Sequence, residues 1–155
     1  MIIASALILS YVESMLPSFS VPGVKAGLAN VAVVFALYAL GGKNAAFVSL
    51  VRVFVVGVLF GSASSFVYSL TGAALSLFVM ILSRKTGLFS PLGVSVAGGV
   101  AHNIGQLAAA AVVMHTSGVF YYLPVLLLSG AVSGALIGLA GGILVERLDR
   151  FVRGF

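Results

Sequence analysis

The chain has 155 residues, of which 61% are hydrophobic and 7% charged, with a formal net charge of +5. A soluble globular domain carries roughly 25% charged residues, so eight basic and three acidic side chains cannot cover this one in water, and the composition points instead to a lipid-embedded bundle. The basic residues fall singly or in short groups with no basic stripe and no aromatic interleaving, which argues against nucleic acid as a partner. No cysteine is present, so disulfides and thiolate metal sites do not arise. No Pro/Ser-rich linker or charge block divides the sequence, and residues 1–155 read as one integral membrane domain.

Six apolar stretches follow one another at about 2–16, 24–40, 45–60, 64–83, 92–114 and 122–145. Apolar side chains fill both alternating faces over many positions, which disfavours the strands of an outer-membrane barrel and predicts an all-α polytopic bundle of about six short helices. A spanning helix needs about 20 residues, so the first and third stretches are short. The first stretch lacks a basic leader and a small-residue cleavage pattern, and reads as retained rather than as a signal peptide. It carries Glu13 near its outer end. Ala6, Ser10 and Ser14 form a small-residue stripe on it, which suits close helix approach in lipid, either inside the bundle or against another membrane protein.

The second stretch opens with Lys25 and places Asn30 about 7 Å further in at 1.5 Å per residue. Lys43 stands in the next loop, and Arg52 lies inside the third stretch, roughly 10 Å from its start. After the fourth stretch come Arg84 and Lys85. The fifth carries His102, Asn103 and Gln106; His102 and Gln106 share a helix face, whereas Asn103 is rotated by about 100°. Ala101, Gly105 and Ala109 line a further small-residue stripe. In the last stretch Gly130, Gly134, Gly138 and Gly142 recur every four residues, baring one face of backbone for helix packing. The tail holds Arg147, Arg150 and Arg153.

With six spans, six basic residues gather on one side and Lys25 alone falls on the other. The positive-inside rule then puts both termini in the cytoplasm of an inner-membrane-type bilayer. Polar groups inside a membrane are functional-site candidates by default. Glu13, Lys25, Asn30, Arg52, His102, Asn103 and Gln106 form a layer expected between the midplane and the outer half. One acid against two bases there suits an anionic ligand. The same groups can also be read as bridges between helices. His102 and His115 lie too far apart to begin a metal site, no phosphate-binding loop accompanies the glycines, and no catalytic residue or cofactor is expected.

The stretch Pro22-Gly23-Val24-Lys25-Ala26-Gly27-Leu28-Ala29-Asn30 with Glu13 before it, Arg52, Tyr68-Ser69-Leu70-Thr71-Gly72, Met80, Ala101-His102-Asn103-Ile104-Gly105-Gln106 and Tyr122-Leu123-Pro124 resemble the small membrane family labelled heptaprenyl diphosphate synthase component I, also called the Gx transporter family. That family in turn resembles the substrate-capture S components of energy-coupling-factor transporters. The resemblance implies a six-helix subunit that captures a small anionic vitamin or an isoprenoid- or quinone-related precursor. A transmembrane coupling subunit, contacted through Ala6, Ser10 and Ser14, and separate ATPases would then be its partners. The family label implies an alternative, a non-catalytic scaffold or accessory subunit of prenyl diphosphate or quinone synthesis. Synthases of that class hold magnesium with several converging carboxylates, whereas Glu13, Glu146 and Asp149 are the only acids here. The chain is therefore not expected to be an enzyme.

Overall fold

The computed structural model describes residues 2–15, 27 and 29–153. Lys25 lies outside them, and of Ser14 only the backbone is described. The described residues form six helices, α1 (Ile2–Met15), α2 (Asn30–Leu40), α3 (Gly42–Phe60), α4 (Ala63–Thr86), α5 (Pro91–Val113) and α6 (Leu123–Arg153), with a 3-10 turn at Ser117–Tyr122 before α6. No strand occurs among them. The chain is thus a helical membrane bundle.

Helix ends follow local chemistry. The Ser62 hydroxyl accepts from the Ser65 N–H at the start of α4, and the Ser90 hydroxyl accepts from Gly93 N–H at the start of α5, where Pro91 supplies the preset φ of a first turn. Gly87 closes α4 in the left-handed conformation at φ 69°. A single residue, Gly41, joins α2 to α3 at φ 88° with open space around a would-be Cβ, so the dihedral alone demands glycine.

Four helical stretches, within α3, α4, α5 and the 3-10 turn plus α6, are long and apolar enough to cross a bilayer. The other two are not. The 14 residues of α1 and 11 of α2 reach only about 21 and 16 Å, short of a hydrocarbon core of about 30 Å. They nevertheless build the centre of the molecule. Ala32, Val33, Val34, Ala36 and Leu37 of α2 are buried together with Ala6 of α1, and Ala45 and Val48 of α3. Outward instead stand Phe47, Leu50, Phe54 and Val58 of α3 and Leu128, Val132, Leu136 and Ile143 of α6, an apolar exterior that lipid covers and water would not.

On the other flank α5 is sandwiched between α4 and α6. Adjacent glycines serve the two sides. A Cβ on Gly98 would stand 2.7 Å from Met80 Sδ of α4, whereas one on Gly99 would collide with the Gly130 carbonyl of α6. The α6 glycines continue that seam, with Gly134 against Ser95 and Val96, and Gly138 against Leu92 and Ser95.

Candidate functional site

Two helix ends and one helix middle bring the first group of polar residues together. Glu13, two residues before the end of α1, accepts a hydrogen bond from the Gly27 N–H at 2.5 Å. The Gly27 carbonyl in turn accepts from Asn30 N–H at 2.8 Å, a turn that leads into α2. Gly27 holds φ 72°, and a Cβ there would meet Ile137 Cδ1 of α6 at 2.8 Å with the Asn30 amide nitrogen at 3.7 Å. The dihedral favours glycine, and a Cβ would in addition oblige the Ile137 side chain to move. Arg52, in the middle of α3, is close enough for the Glu13 charge to act on it. Its Nε is fully enclosed and has no hydrogen-bond partner among the described residues.

The second group lies between α4 and α5. His102 and Gln106 pack over Gly72 of α4, where a Cβ would collide with Gln106 Cγ at 2.7 Å and the His102 carbonyl at 2.9 Å. Their i, i+4 spacing thus aims both at α4. Asn103 faces the other way. Its amide donates to the Leu126 carbonyl at 2.6 Å and to Ser129 Oγ at 3.2 Å, tying α5 to α6. Asn103 is buried in that contact, so the structure assigns it to the seam between helices and separates it from the His102 face.

The depth of the layer differs from the sequence expectation. Ile137, the neighbour of Gly27, is the fifteenth of the 31 residues of α6, so Gly27 and the Glu13 carboxylate bonded to it lie level with the middle part of that helix and not with its Leu123 end. Helix rise places Arg52 about 15 Å from the start of α3 and His102 about 16 Å from the start of α5. These helix positions are level with the middle parts of α3 and α5. α3 begins three residues earlier than the apolar pattern suggests.

Of the Ala6, Ser10 and Ser14 stripe, Ala6 and Ser10 face inward. Ala6 is 0% exposed and Ser10 7%, the Ser10 hydroxyl donating to the Ala6 carbonyl at 2.8 Å. These two residues pack α1 into the bundle against its neighbours α2 and α3, and their expected role as an outer docking face is corrected on that ground. Ile8, Tyr11 and Val12 form the outward side of α1.

Sequence reading counted Arg84 only as a topology charge. Its guanidinium in fact donates to the Leu37 carbonyl and, at 3.4 Å, to the Tyr38 carbonyl, and lies 4.9 Å over the Tyr38 ring. It thereby satisfies the last carbonyls of α2, which have no partner within their own helix. The available signal was a basic residue in the final turn of α4, but nothing in the chain says which helix end, 47 residues earlier, it would meet.

Residues 2–144 match the protein family described as heptaprenyl diphosphate synthase component I. No curated protein and no solved structure matches the chain.

Proposed function

The chain belongs to the heptaprenyl diphosphate synthase component I family, and from that premise we propose that it is a non-catalytic membrane subunit that captures a small anionic ligand in its midplane polar layer, in the manner of an S component of an energy-coupling-factor transporter. The observation that carries this reading is Arg52. A guanidinium at the centre of a bilayer is costly, and its nearest described counter-charge, Glu13, already accepts from Gly27 while Arg52 Nε is left without a bond. An anion that completes the coordination of Arg52 removes that cost. Asn30, next to Gly27, belongs to the same group as Glu13, and the proposed ligand set is completed by His102 and Gln106 between α4 and α5 as neutral donors and acceptors and by Lys25 as a second cation. Three acids in the whole chain do not suffice for the magnesium-diphosphate chemistry of a synthase. By the positive-inside rule, the basic loops support a reading with both termini in the cytoplasm of an inner-membrane-type bilayer.

The test is calorimetric titration of the folded protein with the ligand recovered from it by native mass spectrometry. Arg52→Gln is expected to cost about 2–5 kcal/mol of affinity for a charged ligand and much less for a neutral analogue. Gln106→Ala is expected to cost about 1–3 kcal/mol. Unchanged affinity in Arg52→Gln and Lys25→Gln, with the protein folded, would refute the anion site.

A second reading is favoured by the family description, which names a component of a prenyl diphosphate synthase: a membrane-embedded accessory subunit of such an enzyme. Uptake into vesicles that depends on added coupling ATPases supports the first reading. Copurification with a soluble prenyl-transferring subunit, and no uptake, supports the second.

A further inference from the structure

The hydroxyls along α4 are not scattered. Ser62, Ser65, Ser69 and Ser76, with Gly72 between the last two, follow one another at intervals of three and four residues and so share one face of the helix. Contacts with α5 fix the inner part of that face, because His102 and Gln106 pack over Gly72 and a Cβ on Gly98 would stand 3.3 Å from Ser76 Oγ. Val67, Thr71 and Phe78 form the opposite, exposed side. Burial along the serine face changes in one direction. Ser62 is exposed, Ser65 and Ser69 are half-buried, and Gly72 and Ser76 are buried. The face thus opens at the turn between α3 and α4 and closes in the middle of the bundle.

Arg52 is level with the inner part of this face. α3 and α4 run antiparallel, since Gly42 packs on Ile81 near one end of the pair and Gly57 on Phe66 near the other. Counted inward from Gly57 and Phe66 at about 1.5 Å per residue, Arg52 is about 7.5 Å along α3, between Ser69 at about 4.5 Å and Gly72 at about 9 Å along α4. Both polar residues are turned away from lipid. Arg52 lies two residues from the exposed Leu50 and Phe54, and Ser69 two from the exposed Val67 and Thr71, which at about 100° per residue puts each on the inner side of its helix. Arg52 is half-buried although its Nε is enclosed, so the exposure that it keeps lies elsewhere on the residue.

Resting on the anion-capture reading, we infer that the anion reaches Arg52 through water, from the end of the bundle where α3 turns into α4, along the hydroxyls of Ser62, Ser65 and Ser69. An unpaired anion cannot cross hydrocarbon at acceptable cost, and the exposed side of α3 offers it only Phe47, Leu50, Phe54 and Val58. The opposite end of the helix pair is shut. There Gly42 packs on Ile81, and Arg84 is bonded to the carbonyls that end α2. Serine hydroxyls donate and accept, so they can solvate water and anionic oxygens in turn without adding a charge that would hold the ligand short of Arg52.

The experiment uses the full chain, which has no cysteine of its own, in phosphatidylcholine nanodiscs, where a membrane-impermeant thiosulfonate reaches both ends of the bundle. The variants are Ser62→Cys, Ser65→Cys, Ser69→Cys and, on the lipid side of α4 near the depth of Ser69, Thr71→Cys. Ser65→Cys and Ser69→Cys are expected to react within about tenfold of the rate of Ser62→Cys, and Thr71→Cys about a hundredfold more slowly, because the reactive thiolate forms only where water solvates it. Methyl phosphate at about ten times its dissociation constant is expected to slow Ser69→Cys about tenfold, and Arg52→Gln to remove that protection. An elution profile matching the parent certifies the fold of each variant; if Ser69→Cys fails that check, Ser65→Cys is read by the same criterion. Unreactive Ser65→Cys and Ser69→Cys, or Thr71→Cys reacting as fast as they do, overturns the route and leaves anion capture to the titration of Arg52→Gln. Reaction at Ser69→Cys that methyl phosphate does not slow overturns the route as the path of the anion. Protection that survives Arg52→Gln overturns anion capture on Arg52 itself.

Discussion

At the scale of single residues, the polar side chains of this bundle divide by what they touch. Asn103 is spent within the protein, on the Leu126 carbonyl and the Ser129 hydroxyl, and Arg84 on the last carbonyls of α2. Glu13 is half committed, because its bond to Gly27 fixes the turn before α2 while its charge also reaches Arg52. Hydrogen bonds between side chains in lipid are worth little individually, about 0.6 kcal/mol on average and up to about 1.7. Asn103→Ala should accordingly cost about 1 kcal/mol in a reversible unfolding measurement in mixed micelles, with ligand binding unchanged. The loss stays small because Ser129 Oγ, at 3.2 Å, still donates to the same carbonyl. A loss of ligand binding with stability intact would instead move Asn103 into the binding site.

At the scale of helices, one repeat contains positions of opposite tolerance. Gly134 lies on the α5 seam, where a Cβ would stand 2.7 Å from the Ser95 carbonyl and 2.8 Å from Val96 Cα, both backbone atoms that cannot rotate aside. Gly142 belongs to the same four-residue rhythm, yet a Cβ there meets only Pro91 Cβ at 4.0 Å, an ordinary contact. Gly134→Ala should therefore cost about 1–3 kcal/mol by forcing α5 and α6 apart, and Gly142→Ala should stay within about 0.5 kcal/mol of the parent. Parallel unfolding curves of the two variants decide it, and equal losses would show that α6 does not dock on α5 in this register. The contrast arises because α5 begins at Pro91, so the last glycine of the repeat stands at the end of the seam.

At the scale of the whole molecule, contacts gather the basic segments at one end. Arg84, at the end of α4, reaches the end of α2, which places it beside the Gly41 joint and Lys43. The start of α5 meets α6 at Gly138, some nine residues short of Arg147. Tyr121, 90% exposed, and Tyr122 stand at the opposite end, before α6, in the kind of position where aromatic residues anchor a bundle at the membrane surface. This arrangement holds whether or not the short α1 and α2 cross the bilayer, since a pair that enters and returns leaves Lys43 on the side where α1 began. The chain lacks cysteine, so single cysteines report cleanly. In intact cells, cysteines at Lys43, Lys85 and Arg150 should be shielded from an impermeant thiol reagent, and one at Tyr121 should react. Labelling at Arg150 together with protection at Tyr121 would invert the orientation.

The sequence by itself determined the solvent and the class of fold. Eleven charges in 155 residues leave no choice but lipid, and apolar runs filled on every face can satisfy their backbone there only as helices. It also exposed the polar residues, because Arg52 or His102 stands out in any apolar run, and the glycine rhythm of α6, because its period is that of a helix face. Tertiary structure decided everything that depends on which faces meet. Nothing local distinguishes a small-residue stripe that docks inward, as Ala6 and Ser10 do, from one left for a partner, since smallness permits both and only the placement of α2 and α3 selects one. The depth of Glu13 was likewise hidden, because it is set by where α1 stops and by the contact of Gly27 with Ile137, 110 residues away. Apolar composition is additive along a chain and can be read from it; the pairing of surfaces is a property of two segments at once and exists only when the fold has brought them together.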